Sequence, residues 1–343
     1  MAITRTELLA CMKGAINPDF SKFTQAQADA AVIAGILDMF GLTTESSYRE
    51  INVHKAEIFA LIEEVIDEQL PKAIEDVIGG FVETKTFARD AEPIFEIKKI
   101  GKARARMSIV EGARGGVYKA RRLDNRNFQV DVKVETVGAY VTLEEILLGT
   151  VSLAELMANI RDGFVERIYI KTVQALRTAK AIAPAANIES GNGLNFAAID
   201  NLIRIAGAYG DPIIMGFRST VSQIFNGTNF AANTYPNISS KDADEIRDRG
   251  VVTIYKGTPV VELPNYLVDE TNAEFIFKEG DLFILPGDAK PVKVAFKGDL
   301  HIEETKHPSG SMEQNAHRMV GVGLYLANNI CVYTDEDVTG GQY

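Results

Sequence analysis

The 28 residues from Leu153 to Lys180 carry the apolar spacing of one long amphipathic helix, and no other stretch constrains the fold as strongly. Leu153, Leu156, Met157, Ile160, Phe164, Ile168, Ala175 and Ala179 fall along one broad face, while Glu166, Arg167, Lys171, Gln174 and Arg177 fall mostly on the other. Ser152 and Glu155 have the spacing of a capping box, and Ala183-Pro184-Ala185-Ala186 stops the run. At about 1.5 Å per residue the rod is roughly 42 Å long. Gly163 sits inside it at a cost of about 1 kcal/mol against alanine and marks an expected close backbone approach. The segments on either side read as strands, which points to an α+β plate rather than a doubly wound sheet.

Ahead of the helix lies a charge anomaly. Residues 98–126 hold ten basic side chains (Lys98, Lys99, Lys102, Arg104, Arg106, Arg114, Lys119, Arg121, Arg122 and Arg126) opposed by Glu111 and Asp124 alone. The whole chain runs the other way, with 36 Lys+Arg against 47 Asp+Glu and a net charge of −11. Ala103, Ala105, Met107 and Ile109 alternate with Lys102, Arg104, Arg106 and Ser108, the period of a half-exposed strand. Gly112-Ala113-Arg114-Gly115-Gly116 makes a flexible tip, and Phe128, Val130, Val132 and Val134 alternate on the return leg. The pattern is a long antiparallel ribbon. A two-stranded ribbon is marginal in water, so it needs a surface to rest on. A solvated face and nucleic-acid contact are the other readings. The acidic balance and thin aromatic interleaving, Tyr118 and Phe128, weigh against nucleic acid. An acidic neighbour, foremost another copy of the same body, is the favoured partner.

The remainder organises around these two elements. Residues 1–80 read as helical, with a Thr24/Gln27 capping box opening an Ala-rich helix that Gly41 ends. A second helix from near Val53 spaces Ile58, Leu61, Ile62, Val65, Ile66 and Leu70 at 3.6 residues, and Pro71 kinks it or opens a new one before Gly79-Gly80. Residues 185–290 read as a compact α/β module: helices at 196–209, 219–225 and 239–249, with Asn195 as a cap. Its strands are expected at 212–217, 251–255, 259–262, 274–277 and 282–285. The closing segment, 292–333, gives two or three strands around a polar bend at 306–314, the last of them running 320–333 with an interruption at Ala327-Asn328-Asn329.

Motifs for chemistry are missing. The chain has no phosphate loop, no dinucleotide fingerprint and no nucleophile elbow. His301-Ile-Glu-Glu-Thr-Lys-His307 gathers metal-ligand types, but without helical i, i+4 pairing it reads as a solvated strand end. Glu63, Glu64, Asp67 and Glu68 read as a wet, exposed helix face. Two cysteines, Cys11 and Cys331, build no disulfide framework and fit a reducing compartment as small buried hydrophobes. No secretory signal or membrane-spanning run is present, so a soluble cytoplasmic product is expected. The length suits two domains or one elaborate one.

A helical N-terminal arm, a basic extended ribbon, a long spine helix, a compact α/β module and a strand-rich tail, in that order, resemble the major capsid protein of tailed bacteriophages. The resemblance covers about residues 84–335. Its phrasing is carried by Pro212-Ile-Ile-Met-Gly-Phe-Arg218, Val292–Thr305, Arg318–Tyr325 and Ile330–Tyr333. It implies the Hong Kong 97-type capsid fold. Residues 1–83 would form the arm, and 84–182 with 291–343 the peripheral domain. That domain would include the extended loop (about 98–126) and the spine helix (about 152–180). Residues 183–290 would be the axial domain. The implied function is a structural subunit, not an enzyme. It would assemble with itself into hexamers and pentamers of an icosahedral virion shell around double-stranded DNA, contacted non-specifically. Scaffolding, portal and decoration proteins would be further partners. Assembly would take place in the host cytoplasm, with no cofactor, metal or membrane involved. Lys102, Arg104, Arg106, Arg114, Lys119, Arg121 and Arg122 are the expected intersubunit contacts. The same fold also serves encapsulin-type nanocompartments, the alternative reading. A soluble enzyme using His301, Glu303 and His307 is the third.

Overall fold

The computed structural model describes residues 4–16, 24–43, 46, 48–97, 126–139, 152–225, 253–268, 271–287, 290–306, 312–325 and 329–338. The chain divides into two compact units: residues 1–94, 129–172 and 294–323 in the first, and 95–128, 173–293 and 324–343 in the second.

The first unit opens with three helices, α1 (Arg5–Ile16), α2 (Gln25–Phe40) and α3 (Tyr48–Ile78). The capping box at the start of α2 forms as the sequence predicts. Thr24 Oγ1 accepts from the Gln27 amide, and the Gln27 side chain accepts from the Thr24 amide. Gly41 closes the helix in the left-handed region at φ +64°. The helix α3 begins at Tyr48 and runs as one element through Pro71, rather than opening a new helix there. Its apolar stripe is continuous across the proline, with Ile58, Ile62, Val65, Ile66, Leu70 and Ile74 all buried, and this burial holds the two halves in line. Leu8, Met12, Val32 and Ile36 of the first two helices are fully buried.

A four-stranded sheet completes this unit, in the order β1 (Val82–Phe87), β10 (Val292–Lys306), β11 (Met312–Leu324), β4 (Lys133–Ala139). The strands β11 and β4 run antiparallel with Arg318 opposite Glu135 and His317 opposite Thr136. The return leg foreseen over Phe128–Val134 is broken. Phe128 lies in β3 (Arg126–Gln129), which pairs with β2 (Ile94–Ile97), and residues 130–132 pair with neither sheet as strand. Beside the break β11 carries Gly321, where a Cβ would lie 2.4 Å from the Asp131 carbonyl oxygen and 2.8 Å from Val130 and Val132 methyls. Only glycine lets β11 pass that close.

The long helix, α4, spans Leu153–Ile182, and Ser152 Oγ accepts from the Glu155 amide at 3.0 Å, as its capping spacing predicts. A Cβ added at Gly163 would meet the Val137 methyls at 3.6 Å, an ordinary van der Waals contact, so the tight approach expected there does not require glycine.

The second unit is built on a six-stranded mixed sheet. Its order is β5 (Ile188–Gly191), β12 (Cys331–Asp335), β9 (Asp281–Pro286), β6 (Pro212–Phe217), β8 (Thr258–Leu263), β7 (Ile254–Tyr255). The strand foreseen over 320–333 therefore divides. Its first half ends β11 at Leu324, and its second half, β12, lies between β5 and β9 in a different sheet. Helix α5 (Phe196–Gly207), capped by Asn195 Oδ1 accepting from Ala197 and Ala198, packs Ile199, Leu202 and Ala206 onto Ile214, Leu282, Ile284 and Cys331. A short α6 (Arg218–Val221) and a 3-10 turn follow β6. Glu274–Phe277, expected as a strand, makes a single antiparallel bridge, Phe275 to Leu267. The helix expected at 239–249 lies outside the described residues.

Candidate assembly surfaces

The seven basic residues expected at an interface, Lys102, Arg104, Arg106, Arg114, Lys119, Arg121 and Arg122, lie outside the described residues. The base of their segment is described. The paired strands β2 and β3 flank it, and the Phe128 ring packs against Tyr325 with centroids 5.5 Å apart.

The acidic stripe of α3 is only partly the wet face its sequence suggests: Glu64 and Glu68 are exposed, whereas Glu63 and Asp67 are half-buried against neighbours. Glu63 accepts a hydrogen bond from the Ile302 amide at 2.6 Å and lies 3.2 Å from His301 Nδ1. Glu64 pairs with Arg5 at 2.6 Å, and Glu68 takes both Lys13 and Lys72. Asp67 meets Arg318 at 2.5 Å, and Arg318 is only 1% exposed. The guanidinium also sits over the Phe296 ring, 5.5 Å from its centroid. One turn of carboxylates thus ties α3 to α1 on one side and to β10 and β11 on the other. Periodicity missed the ties of Glu63 and Asp67 because the apolar stripe is wide, so carboxylates at its edge meet neighbouring strands. Burial raises the Asp67 carboxyl above its ordinary value, helped by the charge of Asp299 and opposed by that of Arg318.

A second tie of the same kind joins β4 to α4. Glu135 accepts from Lys171 and from Arg167 Nε at 3.1 Å. Burial works to raise Glu135, but those two hydrogen bonds prevail and hold it below the ordinary range. In the second unit Asp281, at the start of β9, holds Arg177 at 3.1 Å and accepts from the Thr334 hydroxyl at 2.8 Å. On the polar face of α4, Arg167, Lys171 and Arg177 are thus engaged, Asp162 pairs with Arg161, and Glu155 and Glu166 are exposed.

Among the described residues the metal reading is not assembled. His301 faces Glu63, Glu303 lies 3.9 Å from His317 Nε2, and His307 lies outside the described residues. Among the described residues no three His, Cys, Asp or Glu side chains are grouped to hold a metal ion. Cys331 is buried under α5, and desolvation pushes its thiol up to about 12, far from a reactive thiolate. Around Glu63 and His301 the surface has an open, charged cavity of about 400 Å³, lined also by Arg89, Lys297, Asp299 and His317. Among the described residues no helix is long and apolar enough to cross a membrane.

The model of the family described as "SPbeta prophage-derived putative capsid protein YonB" matches residues 12–332. The chain belongs to that family. The head structure of Helicobacter pylori bacteriophage KHP40 superposes on this YonB-family chain with a TM-score of 0.51 at 9% identity, covering 76% of this chain and 90% of that one. The satellite phage P4 procapsid, which includes its size determination protein, gives 0.48 at 11% identity over 78% and 90%. The virus-like particle from Pyrococcus furiosus gives 0.44 at 11% identity over 79% and 98%. No curated protein is a significant match. The α+β fold is thus the phage-head fold of Hong Kong 97 type, and this YonB-family protein is a structural subunit of a capsid.

Proposed function

We propose that this capsid subunit assembles with itself into hexamers and pentamers of an icosahedral shell that encloses double-stranded DNA, without catalytic activity of its own. The observation that carries the reading is the family match across residues 12–332, joined to a fold that covers 90% of a phage head protein. Charge supplies the means. Bodies with a net charge of −11 repel one another unless a local positive element meets them, and residues 98–126 are that element. Lys102, Arg104, Arg106, Arg114, Lys119, Arg121 and Arg122 are assigned to a neighbouring subunit. Assembly takes place in the host cytoplasm, and scaffolding, portal and decoration proteins join the shell.

Negative-stain microscopy of the expressed protein tests the proposal. Closed shells are the expected result, and nucleic acid inside particles from infected cells separates a virion from a nanocompartment filled with protein cargo. A monodisperse monomer at high concentration would overturn the reading. Reversing Arg104, Arg106, Arg121 and Arg122 to Glu together is expected to abolish shells while the circular dichroism spectrum stays that of the parent. Normal shells from that variant would remove the ribbon from the interface.

A further inference from the structure

The open cavity of about 400 Å³ in the first unit lies where the turn after β1 meets β10 and β11. Its acids are already engaged. Glu63 accepts from the Ile302 amide at 2.6 Å and lies 3.2 Å from His301 Nδ1. Asp67, behind the lining, meets Arg318, and the charge of Asp299 acts on the same guanidinium. His317 Nδ1 lies 2.8 Å from the Thr136 hydroxyl, and its Nε2 lies 3.9 Å from Glu303.

The bases on the wall are not engaged in this way. Arg89 and Lys297 both line the cavity, and among the described residues neither forms an ion pair. Lys297 is half-buried, so part of its hydration is lost with no counter-charge in its place. The backbone sets the two side by side. Gly298 follows Lys297 in the left-handed region at φ +69°, and a Cβ there would meet Arg89 Cβ and Cα at 3.6 and 3.8 Å. The stem of Arg89 therefore lies against β10 next to Lys297. Arg318 also lines the cavity, at 1% exposure. Its Nη1 meets Asp67, and its Nε has no hydrogen-bond acceptor among the described residues. A buried donor without an acceptor is costly. Two cations without a counter-charge and one buried donor without an acceptor thus border a single hollow.

We propose that this cavity is a binding site for a phosphate group, clamped between Arg89 and Lys297 with Arg318 adding positive charge from behind. A phosphate group carries the charge that the two wall cations lack and offers them several acceptor oxygens at once. The planar guanidinium can take two of those oxygens side by side, and the ammonium meets another as a point charge. The site lies within one unit of a single copy, so it goes beyond the shell reading and does not depend on assembly. Free inorganic phosphate and the phosphodiester backbone of a nucleic acid share this chemistry, and the experiment separates them.

The test titrates inorganic phosphate into the full-length protein by calorimetry, at constant ionic strength so that screening does not change. Saturable binding with a Kd of about 1 mM or tighter is expected, and no saturable heat up to about 10 mM overturns the site. Arg89→Gln with Lys297→Gln is expected to weaken binding about tenfold or more, with an unchanged circular dichroism spectrum. Lys85→Gln removes a surface charge that pairs with Glu83 outside the cavity, and it should leave the affinity at the parental value. Equal losses from Lys85→Gln and the double variant overturn the proposal, because the anion then answers to net charge alone. Should the double variant fail to fold, Arg89→Gln alone, in an exposed turn, carries the same test with an expected loss of about threefold or more. A short DNA duplex added to the phosphate-loaded protein identifies the source. Displacement of phosphate assigns the clamp to a nucleic-acid backbone and retention assigns it to the free anion, and both uphold the site.

Discussion

The two units hold themselves together by different means. In the second, β9 is buried along its whole length. Leu282, Phe283, Ile284 and Leu285 fill both faces of a central strand, and the core needs little from charges apart from the Arg177–Asp281 pair at its edge. In the first, α3 also buries a long apolar stripe, but carboxylates flank that stripe, and each of the four reaches a basic group or an amide on α1, β10 or β11. Apolar burial is non-directional and sets cohesion. Ion pairs add little net energy at the surface but fix which turn of the helix meets which strand. The difference teaches where sensitivity lies: the second unit should answer to volume, the first to charge.

The largest expected effect probes the apolar side of that contrast. Phe283→Ala empties the middle of β9 and should cost about 3–5 kcal/mol, read by denaturant unfolding of the subunit. A loss below about 1 kcal/mol would show a core looser than its burial implies. Gly216 sharpens the same point, because a Cβ there would lie 2.4 Å from a Leu282 methyl. Gly216→Ala should therefore destabilise by about 1–3 kcal/mol through overpacking.

The charged side comes next. Arg318→Met removes the partner of Asp67 and leaves a largely buried carboxylate against the sheet, at an expected cost of about 2–4 kcal/mol. Replacing both, Arg318→Met with Asp67→Leu, should recover much of that loss, because the isolated charge rather than the missing attraction dominates. Additivity of the two single changes within about 0.5 kcal/mol would mean that the pair is not coupled and the seam is incidental. Smaller again is Thr24→Ala, which deletes half of a capping box and should cost about 1 kcal/mol.

Those variants also mark what the amino-acid sequence made legible. Local signals were read well. The capping residues Thr24, Ser152 and Asn195 each make the predicted bonds, and the strand Pro212–Phe217 has its predicted limits. These depend on neighbours within four residues. Pairings between distant segments were hidden. Nothing local in Glu63 or Asp67 announces Ile302 or Arg318 more than 230 residues away, and an exposed acidic face has the same helical period as an acidic seam. Ala327-Asn328-Asn329 announced an interruption of the closing strand, but alternation shows that a strand exists and not which sheet receives it, so the passage of β12 into a different sheet was silent. Glu274–Phe277 was read as a strand because its residues favour extended backbone. Among the described residues that segment forms a single bridge, Phe275 to Leu267.

The finest test uses protons. Glu135 and Asp67 both lie in the first unit, yet their environments push them in opposite directions. Burial would raise Glu135, but Lys171 and Arg167 hold it below its ordinary 4.5. Folding therefore favours its ionised form, and that stability is present above about pH 4.5 and is lost as pH falls through the lowered value. Asp67 is raised above its ordinary 3.8 by burial first and Asp299 second, against Arg318. Its contribution is fully present below that ordinary value and is lost as pH rises through the raised one. The two contributions therefore have opposite slopes. Glu135→Gln should remove the first slope alone, leaving a variant whose deficit is largest near neutrality and shrinks below pH 4.5. Asp67→Asn should do the reverse, its deficit shrinking as pH rises. Melting curves of both variants across the acid range decide the matter. Parallel profiles for parent and variants would show that neither carboxylate feels its neighbours, and the contrast between a charge-set unit and a volume-set one would fall.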